Sequence, residues 1–403
     1  MVGTTFPLQL PWVIYALGQG KDALSRALAI AQLAAQHRQV VILSNSSYAA
    51  SAQDQILQDA ALKEQVSIQR MPFVENAAAR AEALLQIGQL CSVSPFVLIV
   101  DAPPTGFYSE LADILSALSS LPKILVLRDF KLADAIAYDL ENLIETHYDL
   151  AIIPGAHEAP ATLELFNAKQ TNPWLSQPAS GHRQKARDLM GLSEAEESAP
   201  TILVLASDEA AEMSVYGYIA ATLAQHRPDA KVKCLCRLPP DHCPVEIWEN
   251  QQLAIDYLPG VDLVIGSGDY GTVYACQAFD IPLIAFPWTR ADDLQRERLD
   301  RAIALGKNPI EIVTSAEEAV ASAFIFLNQR MENGASQKQA SSRQQTVPEQ
   351  AGDESSMMDG TGSAIALIEA AIVTKWNQTA QAAMAAEVNQ LRARRTERDQ
   401  ESW

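Results

Sequence analysis

Gly18 and Gly20 frame a turn directly after the apolar run PWVIYAL, and Asp22 and Arg26 follow on a helical segment. A glycine turn between a parallel strand and a helix lets backbone N–H groups approach an anion, and the helix N-terminus adds about half a positive charge. A diphosphate is the ligand such a turn suits. Arg128 and Asp129 end another β-rich run, KILVLRDF, on the edge where parallel sheets bind ligands; they suit a cleft lining or a structural ion pair equally. His157 follows PGA beyond the next run and either faces a cleft or is solvated in its loop. Cys234 and Cys236 alternate along a strand, with His242 and Cys243 close behind. Structural zinc sites space their ligand pairs C-x2–4-C and present four ligands, so packed strand thiols are the expectation here, and no metal.

These residues need elements to hold them. PWVIYAL, VVILS, VSIQRMP, FVLIVDAP, KILVLRDF and DLAIIPG are short apolar runs, each separated by one helical pattern, which is the signature of a parallel sheet wound with crossovers. Leu24 to Gln36 and Ala77 to Leu90 carry apolar residues at three- and four-residue spacing. Residues 1–165 are therefore expected to form one α/β domain. Residues 166–200 contain Pro173, Pro178 and Gly181, a basic piece HRQKARDLMGL and the acidic SEAEESAP, and are read as a connection. TILVLAS, KVKCLCRL, DLVIGSG, PLIAFP and PIEIV then repeat the architecture over residues 201–330. Residues 331–362 are rich in Gln, Ser and Gly and are expected to be a disordered insertion. In 363–403, Ile365, Ile368, Ile372 and Trp376 mark a final helix that docks on the body, ahead of a charged tail.

A chain of 403 residues with 48% hydrophobic content has the apolar material for two cores. A formal charge of −19 repels polyanions, so nucleic acid is not an expected partner. No run approaches the ~20 apolar residues of a spanning helix and the N-terminus lacks an export signal. Five cysteines, an odd number, fit a reducing compartment, and a cytoplasmic protein is expected.

Three stretches, in order, resemble one superfamily. YALGQGKDALSRALAIAQLAA resembles the first strand, glycine turn and helix of GT-B glycosyltransferases related to the lipid II N-acetylglucosaminyltransferase. LVLRDF with HYDLAIIPG resembles a later strand pair of one branch. DLVIGSGDYGTVYACQAFDIPLIAFPWTRADDLQRERL resembles the donor-binding motif. The resemblance spans most of residues 12–325. It implies two Rossmann-like domains facing across a cleft, a C-terminal helix, a UDP-type nucleotide-sugar donor held by the second domain, an acceptor, and no cofactor.

Carried over residue by residue, Gly18, Gly20 and Arg26 match the family's first turn and helix. Its glycine–histidine pair falls on Asp22 and Ala23, so the histidine base is absent. Asp22 is then the candidate catalytic base, a carboxylate titrating near pH 4 unless desolvated, or else a solvated residue of the helix's first turn. In the donor motif, Gly268 opens the turn and Tyr270 and Thr272 match. Asp269, Gly271 and Ala275 replace its glycine, asparagine and ribose-binding glutamate. After TILVLAS, where the family has glycines, stand Ser207, Asp208, Glu209 and Glu212, whose acids satisfy a helix start themselves and repel a diphosphate. Asp292, Asp293 and Gln295 keep the turn that reaches sugar hydroxyls in the family, or simply cap the following helix. Two functions follow: a transferase with altered base and donor motifs, or a non-catalytic descendant that binds a protein partner through the acidic loop or the C-terminal helix.

Overall fold

The computed structural model describes residues 9–18, 20–72, 81–82, 85–89, 95–128, 136, 139–155, 167–176, 182–192, 199–207, 209–250, 254–290, 293–341 and 360–401. The chain divides into two compact units, Met1–Thr171 with Thr361–Trp403, and Asn172–Gly360.

Unit 1 is built on strands β1 (Trp12–Ala16), β2 (Val40–Ser44), β3 (Val66–Arg70), β4 (Val97–Asp101), β5 (Lys123–Val126), β6 (Leu150–Pro154) and β7 (Ala168–Thr171). They pair in the order β3-β2-β1-β4-β5-β6-β7 and every described pairing is parallel. Helices α1 (Asp22–Ala34), α2 (Ala49–Gln58), α3 (Ala112–Ala117) and α4 (Leu140–His147) lie between strands. β1 and β4 are buried at every position, as strands covered on both faces must be. Val13, Tyr15, Leu98, Val100, Leu125 and Ala151 pack with Leu111, Leu115 and Ile144 on one face. The alternate residues Ile14, Ile42, Ile99, Ile124 and Ile152 are buried on the other.

Unit 2 repeats the plan. Strands β8 (Thr201–Leu205), β9 (Lys231–Leu235), β10 (Trp248–Glu249), β11 (Leu263–Ser267), β12 (Leu283–Phe286) and β13 (Ile310–Ile312) form a parallel sheet of order β10-β9-β8-β11-β12-β13. Helices α5 (Arg183–Leu189), α6 (Ala210–His226), α7 (Tyr270–Ala278), α8 (Gln295–Leu305) and α9 (Ala316–Ser341) accompany it. Leu203, Val264, Leu283 and Ala285 pack against Tyr270, Val273 and Leu299 on one side. Ile202, Val204, Cys234, Ile265 and Phe286 pack against Tyr216, Ile219, Leu223, Ala323 and Leu327 on the other. In each sheet the chain starts in the middle, winds one way, then crosses back. The reversal puts a switch point between β1 and β4 in unit 1 and between β8 and β11 in unit 2, the places where open α/β sheets bind ligands.

Two elements fall inside the stretch expected as a connection. β7 reads AKQT, with two exposed residues, and closes the edge of the first sheet, where one-sided pairing requires little apolar content. α5 buries Ala186 and Arg187, the guanidinium donating to the Thr201 hydroxyl at 2.6 Å. α9 runs to Ser341, into the segment expected to lack structure; 342–359 lie outside the described residues.

Helix α10 (Gly360–Glu401) opens where the chain re-enters unit 1. A Cβ on Gly360 would lie 2.2 Å from the Asn172 carbonyl oxygen, so the outgoing and returning backbones run in contact and only glycine fits. Ala364, Ile368 and Ile372 are buried. Glu369 accepts from the buried Arg38 guanidinium, which lies 4.6 Å over the Trp12 ring, and Lys375 pairs with Asp149 at 2.9 Å. Burial lowers the Arg38 pKa while Glu369 opposes the shift. Glu369→Ala should therefore leave a buried cation uncompensated and cost on the order of 3 kcal/mol in urea unfolding. Lys375→Ala, which removes a cation that is itself 19% exposed and leaves a partly hydrated Asp149, should cost about 1 kcal/mol or less.

Candidate functional site

At the switch point of unit 1, β4 ends in Asp101, whose side chain is 1% exposed. Arg26 on α1 reaches it with two hydrogen bonds, Nε to Oδ2 at 2.8 Å and Nη2 to Oδ1 at 2.9 Å. The fork geometry of a guanidinium matches a carboxylate in this way, and it makes Arg26 a clamp between helix and strand. Arg128, just beyond β5, lies 3.6 Å from Asp101 Oδ1 and donates to the Leu17 carbonyl oxygen at 3.4 Å. The anion that these two arginines face is thus the chain's own aspartate.

The glycine turn above β1 is tied down in the same manner. The Gly18 N–H donates to Asn45 Oδ1 at 2.9 Å, and the Ser46 hydroxyl donates to the Gly20 carbonyl oxygen at 2.8 Å. Asp22 opens α1, half-buried, and no side chain hydrogen-bonds from the N-cap residue Lys21. Asp129 and His157 lie outside the described residues.

At the switch point of unit 2, Asp269 is the N-cap of α7. Its Oδ1 accepts the Thr272 N–H at 2.8 Å, its Oδ2 accepts the Thr272 hydroxyl at 2.9 Å, and the Ser267 hydroxyl also donates to it. Asp269 is 8% exposed. A carboxylate at this position does for the helix what a bound phosphate would do: it accepts an orphan N–H and opposes the dipole. The signal was present in the sequence as Asp269 three residues ahead of Thr272, a capping spacing.

Beside it, Glu209 is the N-cap of α6 but makes no side-chain cap bond. Glu212 instead turns to Ser207, whose hydroxyl donates at 2.6 Å, and to Arg290, whose Nη1 lies 2.5 Å from Oε1. Burial works against the Arg290 charge, yet its bond to Glu212 raises its pKa above the ordinary value. The acids of this loop were expected to satisfy the helix start; Glu212 makes an ion pair across to the β12 loop instead. Asp208 lies outside the described residues.

The remaining candidates are bonded to one another. Gln295 is buried, accepting the Trp288 backbone N–H at 3.1 Å and donating to Asp293 at 2.9 Å. Arg298 binds Asp293 at 2.7 Å and the Gly268 carbonyl oxygen at 3.0 Å. Neither Asp293 nor Gln295 caps α8, whose N-cap is Leu294 without a side-chain bond; Asp292 lies outside the described residues. Trp288 stacks on Phe286 with ring centroids 5.1 Å apart and donates from its indole nitrogen to Tyr216 at 2.8 Å. Burial, with Glu212 and Asp269 nearby, pushes the Tyr216 phenol far up. Tyr270 is buried, its hydroxyl accepting the Trp174 N–H at 2.8 Å, and Gly271 sits within the first turn of α7. Ala275 is buried among Tyr270, Tyr274, Val273 and Leu175.

Among the described residues, no group of three or more His, Cys, Asp or Glu side chains is placed to hold a metal ion, and no helix is long and apolar enough to cross a membrane. No family model and no curated protein matches the sequence. The fold has many solved counterparts. The chain is similar to MurG of Acinetobacter baumannii, at 13% identity and a TM-score of 0.51 over 90% of this chain and 99% of that one. It is similar to the spinosyn rhamnosyltransferase SpnG, at 14% identity and a TM-score of 0.50 over 92% and 96%. It is also similar to a UDP-N-acetylglucosamine 2-epimerase, at 11% identity and a TM-score of 0.51 over 89% and 95%. The fold is that of GT-B glycosyltransferases, here in a divergent sequence.

The clamp at Asp101 is open to test. Asp101→Ala should strand Arg26 in the interior and cost about 3–5 kcal/mol in equilibrium unfolding, the penalty for breaking a buried pair. A loss below about 1 kcal/mol would show that Arg26 finds water.

Proposed function

We propose that this glycosyltransferase-like chain of GT-B fold is a non-catalytic binding protein, in which carboxylates of its own occupy the anion positions that a nucleoside-diphosphate sugar would need. The observation that carries the reading is Asp269. Its two oxygens take the N–H and hydroxyl of Thr272 at the start of α7, so a diphosphate arriving there meets a negative charge instead of free donors. Glu212 supports it, because the partly exposed Arg290 is already spent on that carboxylate. Two further positions agree. Ala275 replaces a ribose-binding glutamate and lies in an apolar cluster, and Gln295 and Asp293 are bonded to each other and to the protein. The loop carrying Glu209 and the exposed stretch Trp376–Ala386 of α10 are the surfaces proposed to meet a protein partner.

The alternative, a transferase with a UDP-type donor and Asp22 as base, rests on the glycine turn at Gly18 and Gly20 and on the half-buried carboxylate that follows it. Calorimetry with UDP separates the two. The unmodified protein should give no binding heat at about millimolar ligand, whereas Asp269→Gly combined with Glu212→Gln, which frees α7 and Arg290, should gain weak affinity, each charged hydrogen bond contributing roughly 1.5–3 kcal/mol. Binding of UDP by the unmodified chain at micromolar Kd would overturn the proposal. Asp22→Asn would then be expected to lower turnover with UDP affinity unchanged.

A further inference from the structure

In unit 1, the start of β1 and the residue two places ahead of β2 bring three buried donors together. The Trp12 indole nitrogen and the Arg38 Nε and Nη1 nitrogens are shut off from water, and none of them meets an acceptor among the described residues. Trp12 is 0% exposed and Arg38 6%, so water cannot stand in as the partner at the surface. The three donors share one place, because the guanidinium carbon of Arg38 lies 4.6 Å over the Trp12 ring. The sheet fixes that placement. Trp12 pairs with Val40 in the register of β1 and β2, its backbone N–H donates to the Gln39 carbonyl oxygen at 2.9 Å, and the Arg38 backbone N–H donates to the Ala34 carbonyl oxygen at 3.2 Å.

The remaining nitrogen, Nη2, donates to Oε1 of Glu369 on α10. A guanidinium can give one oxyanion two parallel bonds, along its Nε–Nη2 edge or its Nη1–Nη2 edge, and a carboxylate bonded at Nη2 alone completes neither. Glu369 therefore balances the charge of Arg38 and leaves its hydrogen-bonding capacity unfilled, in a setting where an unmet buried donor costs more than a typical made bond returns. The chemistry of the unmet groups selects the ligand. All three are donors, so they suit an acceptor-only group with several oxygens, and a ligand that takes the place of Glu369 must carry negative charge to compensate the buried cation. The approach is open on the α10 side, where the Glu369 side chain is 33% exposed.

We propose that Trp12 and Arg38 form a binding site for a small tetrahedral oxyanion, phosphate or a phosphomonoester, which takes the place of the Glu369 carboxylate and loosens the first turns of α10 from unit 1. Two oxygens of the ligand lie along one edge of the Arg38 guanidinium and a third accepts from the Trp12 indole N–H. Such an ion fills what a carboxylate bonded through one oxygen leaves open. Glu369 competes as a tethered group, at an effective concentration in the millimolar range, and burial of Ala364, Ile368 and Ile372 holds it in place. The ligand consequently acts at millimolar concentration or above.

The test uses the full-length chain with inorganic phosphate, and chloride at equal ionic strength as the control. By hydrogen–deuterium exchange of the unmodified protein, peptides within 361–376 should exchange at least about threefold faster in roughly 50 mM phosphate, a concentration above the effective one of a tethered group. General exclusion of phosphate from the protein surface favours the compact state and would slow exchange, so the sign separates the two effects. Arg38→Lys, which keeps the charge but has no fork, should abolish the response. In Glu369→Gln, where the competitor loses its charge, phosphate should raise the melting temperature by about 3 °C. That rise should vanish on adding Arg38→Met, and Trp12→Phe should raise the phosphate concentration it requires about tenfold. If Glu369→Gln does not fold, exchange in the unmodified chain decides. Glycerol phosphate in a parallel series distinguishes a free ion from a phosphomonoester: activity of phosphate alone marks the ion, and equal activity of both marks a site that admits the ester. Unchanged or slower exchange of 361–376 in the unmodified protein, or a phosphate response that persists without Arg38, would overturn the proposal.

Discussion

A parallel sheet aims the N-termini of its following helices toward one edge, and each of those ends presents N–H groups with no partner inside the helix. Something must accept from them, and the identity of the acceptor governs the chemistry available at the edge. Above β11 the acceptor is Asp269, held by Ser267 and Thr272. Above β8, Glu212 is drawn sideways by Ser207 and Arg290. In unit 1 the equivalent negative charge is Asp101, sunk below the turn and gripped by Arg26 and Arg128. At both switch points a carboxylate of the chain is held by the chain's own donors.

The two units reach this state differently. In unit 1 the carboxylate lies at the strand end and the arginines descend to it, so the pair acts within the core and the Gly18 turn above is fixed by Asn45. In unit 2 the carboxylates sit on the helix starts themselves. An arginine committed to a buried carboxylate cannot also meet a ligand phosphate without leaving that carboxylate uncompensated. The charge pattern of the edge is accordingly a property of pairs rather than of single residues.

That dependence on pairs explains what the amino-acid order disclosed. The buried strands announce themselves because a strand covered on both faces must be apolar throughout, as WVIYA, VLIVD and LVIGS are. β7 gives no such sign because an edge strand of sequence AKQT satisfies its ladder on one side and leaves side chains in water. Gly18 and Gly20 stood out in the sequence as a strand-to-helix turn, and Gly268 to Thr272 through the family resemblance, because both signals are local. The partners of Arg26 and Glu212 were not, since Asp101 and Arg290 are 75 and 78 positions away and only the closed sheet brings them together. Ala275 looked like a lost ligand; its packing among Tyr270, Tyr274 and Leu175 shows a position given over to the core.

The return of the chain into unit 1 bears on how the protein is made. Arg38 and Trp12 leave the ribosome early, but the glutamate that balances that guanidinium is Glu369, more than three hundred residues later. Translation at about 5–20 residues per second lets an uninterrupted domain fold as it emerges, whereas unit 1 must wait through the whole synthesis of unit 2 with its α10 groove uncovered. During that interval an apolar surface destined for Ile368 and Ile372 is open to other chains, and a nascent-chain chaperone has a defined place to act. A message cut short after unit 2 would yield a complete second domain attached to a first one that never closes.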